Sequence, residues 1–464
     1  MSENDIKIIN NNSKNGQTKC PKCGASNLHY DEEKEKLICD YCLEEFDKDV
    51  IEDKEKSDKL DGEVRGSATK NIDNNASDLI TIKCDGCGAE IVVNTRENLN
   101  TRCHWCGSML SINRQIDNGI VPDEILPFKL TKEQAFNNMN NYVSNKLSYT
   151  TNDFKNGLKL ENIHGVFFPY LIFDTNAHGK YTGVGEITTH IYSKNDDTFY
   201  DVDVYKVERE FDIIIDDLTI ESNLERLDKY NIKQKNSVIN AILPFDTENC
   251  IKFNANYMKD YTSEKRDIDI NNVENKIHNE VKDIARSKVN NTIKQYKRGV
   301  RWENEEIDYK GKQWLSAYLP VWLYSYQDKK GVLHYLAVNA RTGETVGSIP
   351  FDRGKLFLVM GLIMLISLVI GLLSAFIFFP LIFLFLFIGL FVAIIVFIVQ
   401  DYKYSNLYWV RHSYEVETKC DLKYTKKNID EKIDEIKKTS LSYTKGANNK
   451  KINGEFTPIN KNTK

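Results

Sequence analysis

Eight of the ten cysteines in this chain follow one pattern that occurs twice near the N-terminus. Each copy reads Cys-x2-Cys, fifteen residues and Cys-x2-Cys, and the copies are 64 positions apart. Two close pairs of thiolates can surround one ion tetrahedrally at Zn–S distances of about 2.3 Å, leaving no position for water. The pattern therefore predicts two structural metal sites, formed by Cys20, Cys23, Cys39 and Cys42 in ribbon 1 (18–44) and by Cys84, Cys87, Cys103 and Cys106 in ribbon 2 (82–112).

Zinc is the metal that this ligand set favours, and we expect two zinc ions per chain. Disulfide bonds would use the same cysteines but require an oxidising compartment. Iron in a rubredoxin-like site stays open, since spacing does not distinguish the two metals. His104 lies inside the last cysteine pair and could replace a ligand, although a packing or solvated role is favoured.

A run of 45 residues without charge, 356–400, is the second informative feature. As one helix it would measure about 68 Å, whereas a bilayer core of about 30 Å takes about 20 residues. We therefore predict two transmembrane helices within 356–400, near Leu356–Ala375 and Leu381–Val399, with a turn at Phe376–Pro380. A single kinked span is the alternative.

The charges that flank this run predict its orientation. Arg353 and Lys355 precede it, Lys403 and Arg411 follow it, and positive residues favour the cytoplasmic side. Residues 1–19 are polar and do not resemble a signal peptide. We expect a multi-pass protein of the cell membrane with two spans, with membrane lipid as a partner and both termini cytosolic. Reducing cytosol would favour metal over disulfide.

Two further segments, one between the ribbons and one after the apolar run, differ in charge. Residues 45–80 contain more acidic than basic residues and few large apolar side chains, so we predict that they form an acidic linker. Residues 401–464 predict a basic cytosolic tail with fourteen basic and nine acidic residues, which anionic lipid would attract. Ile429, Ile433 and Ile436 suggest a short amphipathic helix within it, although a solvated tail is favoured.

The middle region, 122–352, predicts an α+β soluble domain. A capping box at Thr131 and Gln134 predicts one helix, and a longer amphipathic helix is predicted over Ile268–Tyr296. The predicted strands are Val166–Phe173, Glu186–Tyr192 and Thr198–Val207, with turns at Gly179, Gly183 and Gly185, and three more strands within Trp314–Ile349.

Two short motifs recur in this region in the same order. Ile125–Phe128 is repeated as Ile242–Phe245, and Phe167–Phe173 resembles Tyr318–Tyr324. Two related modules would explain this. An aromatic groove around the shared prolines is one interpretation, and strands of a hydrophobic core are favoured over it. The predicted fold class is thus multidomain: two four-cysteine zinc ribbons, an α+β middle region of one or two modules, and an α-helical transmembrane hairpin.

The sequence offers no recognised catalytic motif. It lacks a phosphate-binding loop, a His-Glu-x-x-His pair and a Gly-x-Ser-x-Gly elbow, so we expect no enzymatic activity, and we identify no small-molecule substrate. A nucleic-acid reader needs a basic face. Between Cys20 and Cys42 three lysines stand against five acidic residues, so nucleic acid is an unfavoured partner.

Several segments resemble a bacterial family of transcription-factor-IIB-type zinc-ribbon-containing proteins. They are the two ribbons, Ile125–Ala135, Gly165–Tyr170, Tyr318–Trp322 and Val338–Gly347. The resemblance implies a membrane-attached, non-enzymatic protein, and some relatives belong to envelope-stress systems of the phage-shock type. Members are often labelled primosomal or helicase-like, which the missing phosphate loop contradicts here.

These features predict a membrane-anchored zinc-ribbon adaptor that recruits a protein partner at the cytosolic face, such as a membrane-stress effector. The alternative is a nucleic-acid-binding or transcription-related protein tethered to the membrane. A third hypothesis, an enzyme or transporter-associated subunit, would require a ligand between the repeated motifs.

Overall fold

The computed structural model describes residues 6–8, 19–25, 28–47, 56–66, 79–94, 101–119, 122–144, 149–194, 197–222, 241–266, 268, 270–327, 333–375, 379–405 and 419–433. The strands within these ranges are β1 Ile6–Ile8, β2 Leu28–Asp31, β3 Lys36–Cys39, β4 Glu45–Phe46, β5 Gly62–Arg65, β6 Leu79–Lys83, β7 Glu90–Asn94, β8 Gln115–Ile116, β9 Glu124–Ile125, β10 Ile163–Lys194, β11 Asp197–Glu221, β12 Ile251–Lys252, β13 Thr262–Glu264, β14 Val300–Gln327, β15 Leu333–Asn339, β16 Thr345–Gly347, β17 Lys419–Tyr424 and β18 Ile429–Ile433. The α-helices are α1 Lys132–Ser144, α2 Asn152–Gly157, α3 Ile270–Asn290, α4 Arg353–Ala375 and α5 Leu381–Ser405.

Three long antiparallel strands form the frame of the molecule. β10 has 32 residues and lies between β11 and β14, which have 25 and 28. At about 3.3 Å per residue, β10 extends for about 100 Å. One end of this ladder lies in the centre of the domain, and the other end forms an arm that α3 covers on one face.

The predicted turns at the three glycines of β10 are wrong, because the strand passes through all of them. A Cβ at Gly179 would overlap the Phe211 ring, and one at Gly185 would lie 2.7 Å from the Tyr296 ring. Gly183 faces the backbone of Arg301 in the same way. These glycines make room for close neighbours inside a sheet.

The two predicted helices of the middle region are confirmed, with a shorter second helix. At α1 the Thr131 amide donates to Gln134 Oε1 at 3.0 Å, and the Gln134 amide donates to Thr131 Oγ1 at 3.3 Å. α3 buries an apolar stripe that runs from Ile270 to Val289. The predicted helix end at Tyr296 is wrong, since the chain turns after Asn290 and buries Tyr296 outside the helix.

The second pair of repeated motifs forms the centre of the sheet. β10 and β14 pair so that Phe168 lies opposite Leu319, Phe167 opposite Pro320 and Pro169 opposite Tyr318. The repeat is therefore arranged about a local two-fold axis. Both segments are buried, which favours a hydrophobic core over an open groove.

The turn after β15 joins the other pair of repeated motifs. Asn339 Nδ2 donates to the Ile242 and Pro244 carbonyls at 3.1 and 2.9 Å. Arg341 donates to the Pro127 carbonyl at 3.3 Å and to the Asp246 carboxylate at 2.7 Å. One buried turn thus fixes both Ile-Leu-Pro-Phe segments.

Part of the segment predicted to be a linker is a strand of the main sheet. β5 pairs in parallel with β14, from Gly62 opposite Gly311 to Arg65 opposite Trp314, and β1 pairs with its other edge. Its buried apolar residue, Val64, contacts Leu315. Low hydrophobicity does not prevent this pairing, because an open edge of β14 supplies backbone donors and acceptors.

The tail also returns to the sheet. β17 and β18 pair antiparallel with β11, covering its edge from Val204 to Asp216. The segment Ile429–Ile433 is a strand with exposed isoleucines at both ends, so the amphipathic helix that the sequence offered as the less favoured alternative is wrong there. Position 436 lies outside the described residues.

α4 and α5 are long and apolar enough to cross a membrane. Neither helix carries a charged residue between positions 356 and 400, and most of their side chains are exposed. The helices run antiparallel, Gly389 lies against Ser367, and Arg353 is 3.5 Å from Asp401 at the open end of the pair. Positions 376–378 of the predicted turn lie outside the described residues.

Candidate metal centres

Each Cys-x2-Cys pair lies in a tight turn, which we call a knuckle. The four knuckles have the same backbone geometry and contain all eight cysteines. In each, the first cysteine amide donates to the carbonyl five residues on, and its own carbonyl accepts from the amide four residues on, at 2.7 to 3.0 Å. The last of these amides belongs to a residue with positive φ, which is Gly24, Leu43, Gly88 or Gly107. This compact turn brings both sulfurs of a Cys-x2-Cys pair to one side.

The sulfur positions fit a tetrahedral ion. Sγ–Sγ distances of 3.6 Å join Cys20 to Cys42 and Cys23 to Cys39, and ribbon 2 repeats them for Cys84 with Cys106 and Cys87 with Cys103. All four sulfurs of a ribbon lie within 4.8 Å of one another. A tetrahedral site with bonds of about 2.3 Å needs sulfurs about 3.8 Å apart, whereas a disulfide needs about 2.05 Å. Each ribbon can hold one zinc ion.

Protons are shared unequally within the clusters. In ribbon 2, the hydrogen bond between the Cys103 and Cys87 thiols lowers the pKa of Cys87 to about 5 and raises the pKa of Cys103. In ribbon 1, burial opposes ionisation of the Cys20 thiol, but hydrogen bonds from Cys23, Lys22 and Cys42 together outweigh burial and lower the pKa of Cys20 to about 7. A metal ion would favour the thiolate at all positions, so binding would release protons.

Ribbon 1 is a small three-stranded sheet, β2-β3-β4, which packs on the domain through one face. The Tyr30 ring lies 5.1 Å from the Tyr257 ring. Lys259 Nζ is 2.6 Å from Asp40, and the Tyr261 hydroxyl donates to Glu32. At the knuckle of Cys39 and Cys42, the side chains of Tyr41 and Leu43 are exposed.

Ribbon 2 is joined to the main sheet. β7 pairs with β13, and β13 pairs with β10, so the hairpin of ribbon 2 extends the core. Trp105, between Cys103 and Cys106, is buried, stacks on Phe168 at 5.6 Å and donates its Nε1–H to Glu264. The sequence pattern did not show this, because the partners of Trp105 are distant in the chain.

His104 has a packing role and is no part of the sulfur cluster. It is fully buried, and its Nδ1 lies 2.9 Å from Thr262 Oγ1. The four cysteines around it already provide a complete tetrahedral set. The favoured interpretation of this histidine from the sequence agrees with its position.

A third group of possible metal ligands, the acidic cluster of Asp174, Asp216 and Asp217, was not predicted as a site. The Asp217 amide donates to Asp174 at 2.7 Å, and Lys419 of β17 lies 3.6 Å from the Asp217 carboxylate. A lysine from the returning tail already offsets this negative charge, so we interpret the cluster as part of the docking of β17.

Comparison with known proteins gives no family assignment: the chain matches no protein-family model, no curated protein and no solved structure. Membership of the zinc-ribbon family named above therefore stays a prediction.

Proposed function

We propose that this protein is a membrane-anchored, non-enzymatic adaptor whose zinc ribbons recruit a protein partner at the cytosolic face of the cell membrane. The hairpin of α4 and α5 is the anchor, and the two ribbons are rigid recruiting modules. Envelope stress is the setting that the family resemblance suggests.

The observation that carries this proposal is that segments on both sides of the helical hairpin belong to the same main sheet. The sheet ends directly before α4, and β17 and β18 rejoin it after α5. Lys355, at the start of α4, donates to the Thr150 carbonyl at 2.6 Å, so the hairpin is fixed to the domain. If α4 and α5 span a bilayer, both ends of the hairpin lie on the same side as the ribbons. The flanking positive residues favour the cytosol for that side.

The ribbons suit recruitment more than catalysis. A four-thiolate shell leaves no open coordination position, and zinc gives a small module a stable shape. The acidic surface of ribbon 1 argues for a protein partner and against nucleic acid, the alternative, because phosphate contacts need basic residues.

Affinity capture of the full chain from solubilised membranes tests this function. We expect a protein that is recovered with the native chain and lost with Cys20→Ser or Cys84→Ser. Cys250→Ser is the matched control, since Cys250 lies outside both clusters, and it should leave recovery unchanged. Recovery of the same proteins from all four chains would contradict the adaptor function.

A further inference from the structure

The two ribbons use the same position in opposite ways. The knuckle Cys39–Cys42 has the same backbone hydrogen bonds as Cys103–Cys106, so Tyr41 is the equivalent of Trp105. Trp105 is 4% exposed and anchors ribbon 2 to the domain, whereas Tyr41 is 82% exposed. The second knuckle is thus a docking element in ribbon 2, whereas in ribbon 1 no described residue covers the equivalent aromatic ring as Phe168 and Tyr335 cover Trp105.

Leu43 gives a second, independent observation at the same knuckle. It has φ 55°, in the left-handed region where the other three knuckles have glycine. A bulky residue there is strained, and its side chain is 74% exposed, so packing within the ribbon does not compensate the strain. Tyr41 and Leu43 flank Cys42 and define what we call the ribbon 1 knuckle patch.

The charge around the patch indicates the chemistry of its partner. Residues 19–47 contain eight acidic and four basic residues. Glu44, Glu45 and Asp40 form ion pairs with lysines, which offsets part of this charge and leaves ribbon 1 net acidic. An acidic surface repels anionic lipid and nucleic acid and attracts a basic protein surface.

We infer that the ribbon 1 knuckle patch docks into an apolar pocket with a basic rim on a partner protein, as Trp105 docks between Phe168 and Tyr335 within this chain. Tyr41 fills the pocket, Leu43 packs at its edge, and the net negative charge of ribbon 1 complements the basic rim. This inference rests on the adaptor function proposed above and assigns it to one surface.

Site-specific photocross-linking of the full chain in its native membranes tests the assignment. A benzophenone amino acid replaces Tyr41, or, as controls, the exposed residues Glu33 of the same ribbon or Met109 of ribbon 2, and the cross-linked peptides are sequenced. We expect the Tyr41 probe to react with an apolar peptide flanked by Lys or Arg in one protein. The yield should fall as salt rises from about 0.1 M to 1 M, since the Debye length shrinks from about 10 to 3 Å.

Leu43→Gly supplies a variant that relieves the strain and keeps the fold. It should retain metal content and lower the Tyr41 cross-link by about tenfold, as expected for loss of an interface anchor. Unchanged cross-linking in this variant would overturn the role of Leu43 in the patch.

The other outcomes separate the patch from the adaptor function. Protein adducts from Glu33 or Met109 but not from Tyr41 would overturn the patch and keep the adaptor. Adducts of Tyr41 with lipid, or with a second copy of this chain, would overturn the proposed partner. A lack of protein adducts from all three positions would overturn the adaptor and the patch together.

Discussion

Trp105 and Tyr41 illustrate how one residue position acquires different roles. Both lie between the second pair of cysteines, on knuckles of the same geometry. Trp105 stacks on Phe168 and meets Tyr335 edge-on at 4.9 Å, so its burial stabilises the junction between ribbon 2 and the sheet. Tyr41 has an exposed ring, which contributes little to folding stability.

We therefore predict effects of different size for substitution by alanine at the two positions. Trp105→Ala should lower the free energy of unfolding by about 3–5 kcal/mol, the usual loss for a buried aromatic side chain. Tyr41→Ala should change it by less than about 0.5 kcal/mol. Denaturant unfolding of the purified protein in detergent measures both, and equal losses would refute the distinction.

The elements differ in how far local sequence predicts them. The capping box predicted the start of α1 because the interaction spans three residues, and the apolar stripe of α3 lies within the helix itself. The metal ligands were predictable for the same reason, since the cysteines of each knuckle are neighbours in the chain. β10 was predicted as short strands because a glycine is read locally as a turn, whereas Gly179 faces the distant Phe211. The pairing of β5, β17 and β18 depends on edges elsewhere in the sheet.

Gly179 allows a direct test of the continuous arm. Gly179→Ala would place a Cβ into the Phe211 ring, and such overpacking costs about 1–3 kcal/mol of unfolding free energy. Thr182→Ala, on the other face of the same strand, is the control and should cost less than about 0.5 kcal/mol. A neutral Gly179→Ala would show that Phe211 does not pack there.

The attachment of β18 depends on Arg209, which is 1% exposed in its side chain. Its guanidinium donates to Asp430 of β18 at 2.7 Å, to the Ile429 carbonyl at 3.1 Å and to Thr292 Oγ1 at 3.0 Å. Loss of a charged hydrogen bond costs about 1.5–3 kcal/mol, so Asp430→Ala should release β18 locally.

Hydrogen exchange of the backbone amides in 429–433 measures this release. Exchange should become at least about tenfold faster in Asp430→Ala, since 1.4 kcal/mol corresponds to a factor of ten. Lys432→Ala removes an exposed ion pair with Asp203 and should have a small effect. Similar exchange rates in the two variants would contradict the role of Arg209.

At the scale of the whole molecule, the sheet requires both ends of the hairpin to remain together. A single kinked span would separate β17 and β18 from β11 across the bilayer, which their pairing with β11 does not allow. The topology that we propose, two spans with both ends on one side, agrees with the flanking positive charge.

Labelling of intact cells with a membrane-impermeant maleimide tests this topology. Glu33→Cys and Lys427→Cys should react only after permeabilisation, since we propose that both lie in the cytosol. Phe379→Cys, at the turn between the helices and 68% exposed, should react from outside. Labelling of Lys427→Cys but not Glu33→Cys in intact cells would indicate a single span.

The state of the eight sulfurs is the most direct test of the account as a whole. Metal analysis of the native full-length protein, combined with X-ray absorption at the zinc edge, should give two zinc ions per chain. Each should have four sulfur neighbours at about 2.3 Å. Mass spectrometry that found these cysteines joined as disulfides, with no bound metal, would contradict both the ribbons and the cytosolic side on which they are proposed to lie.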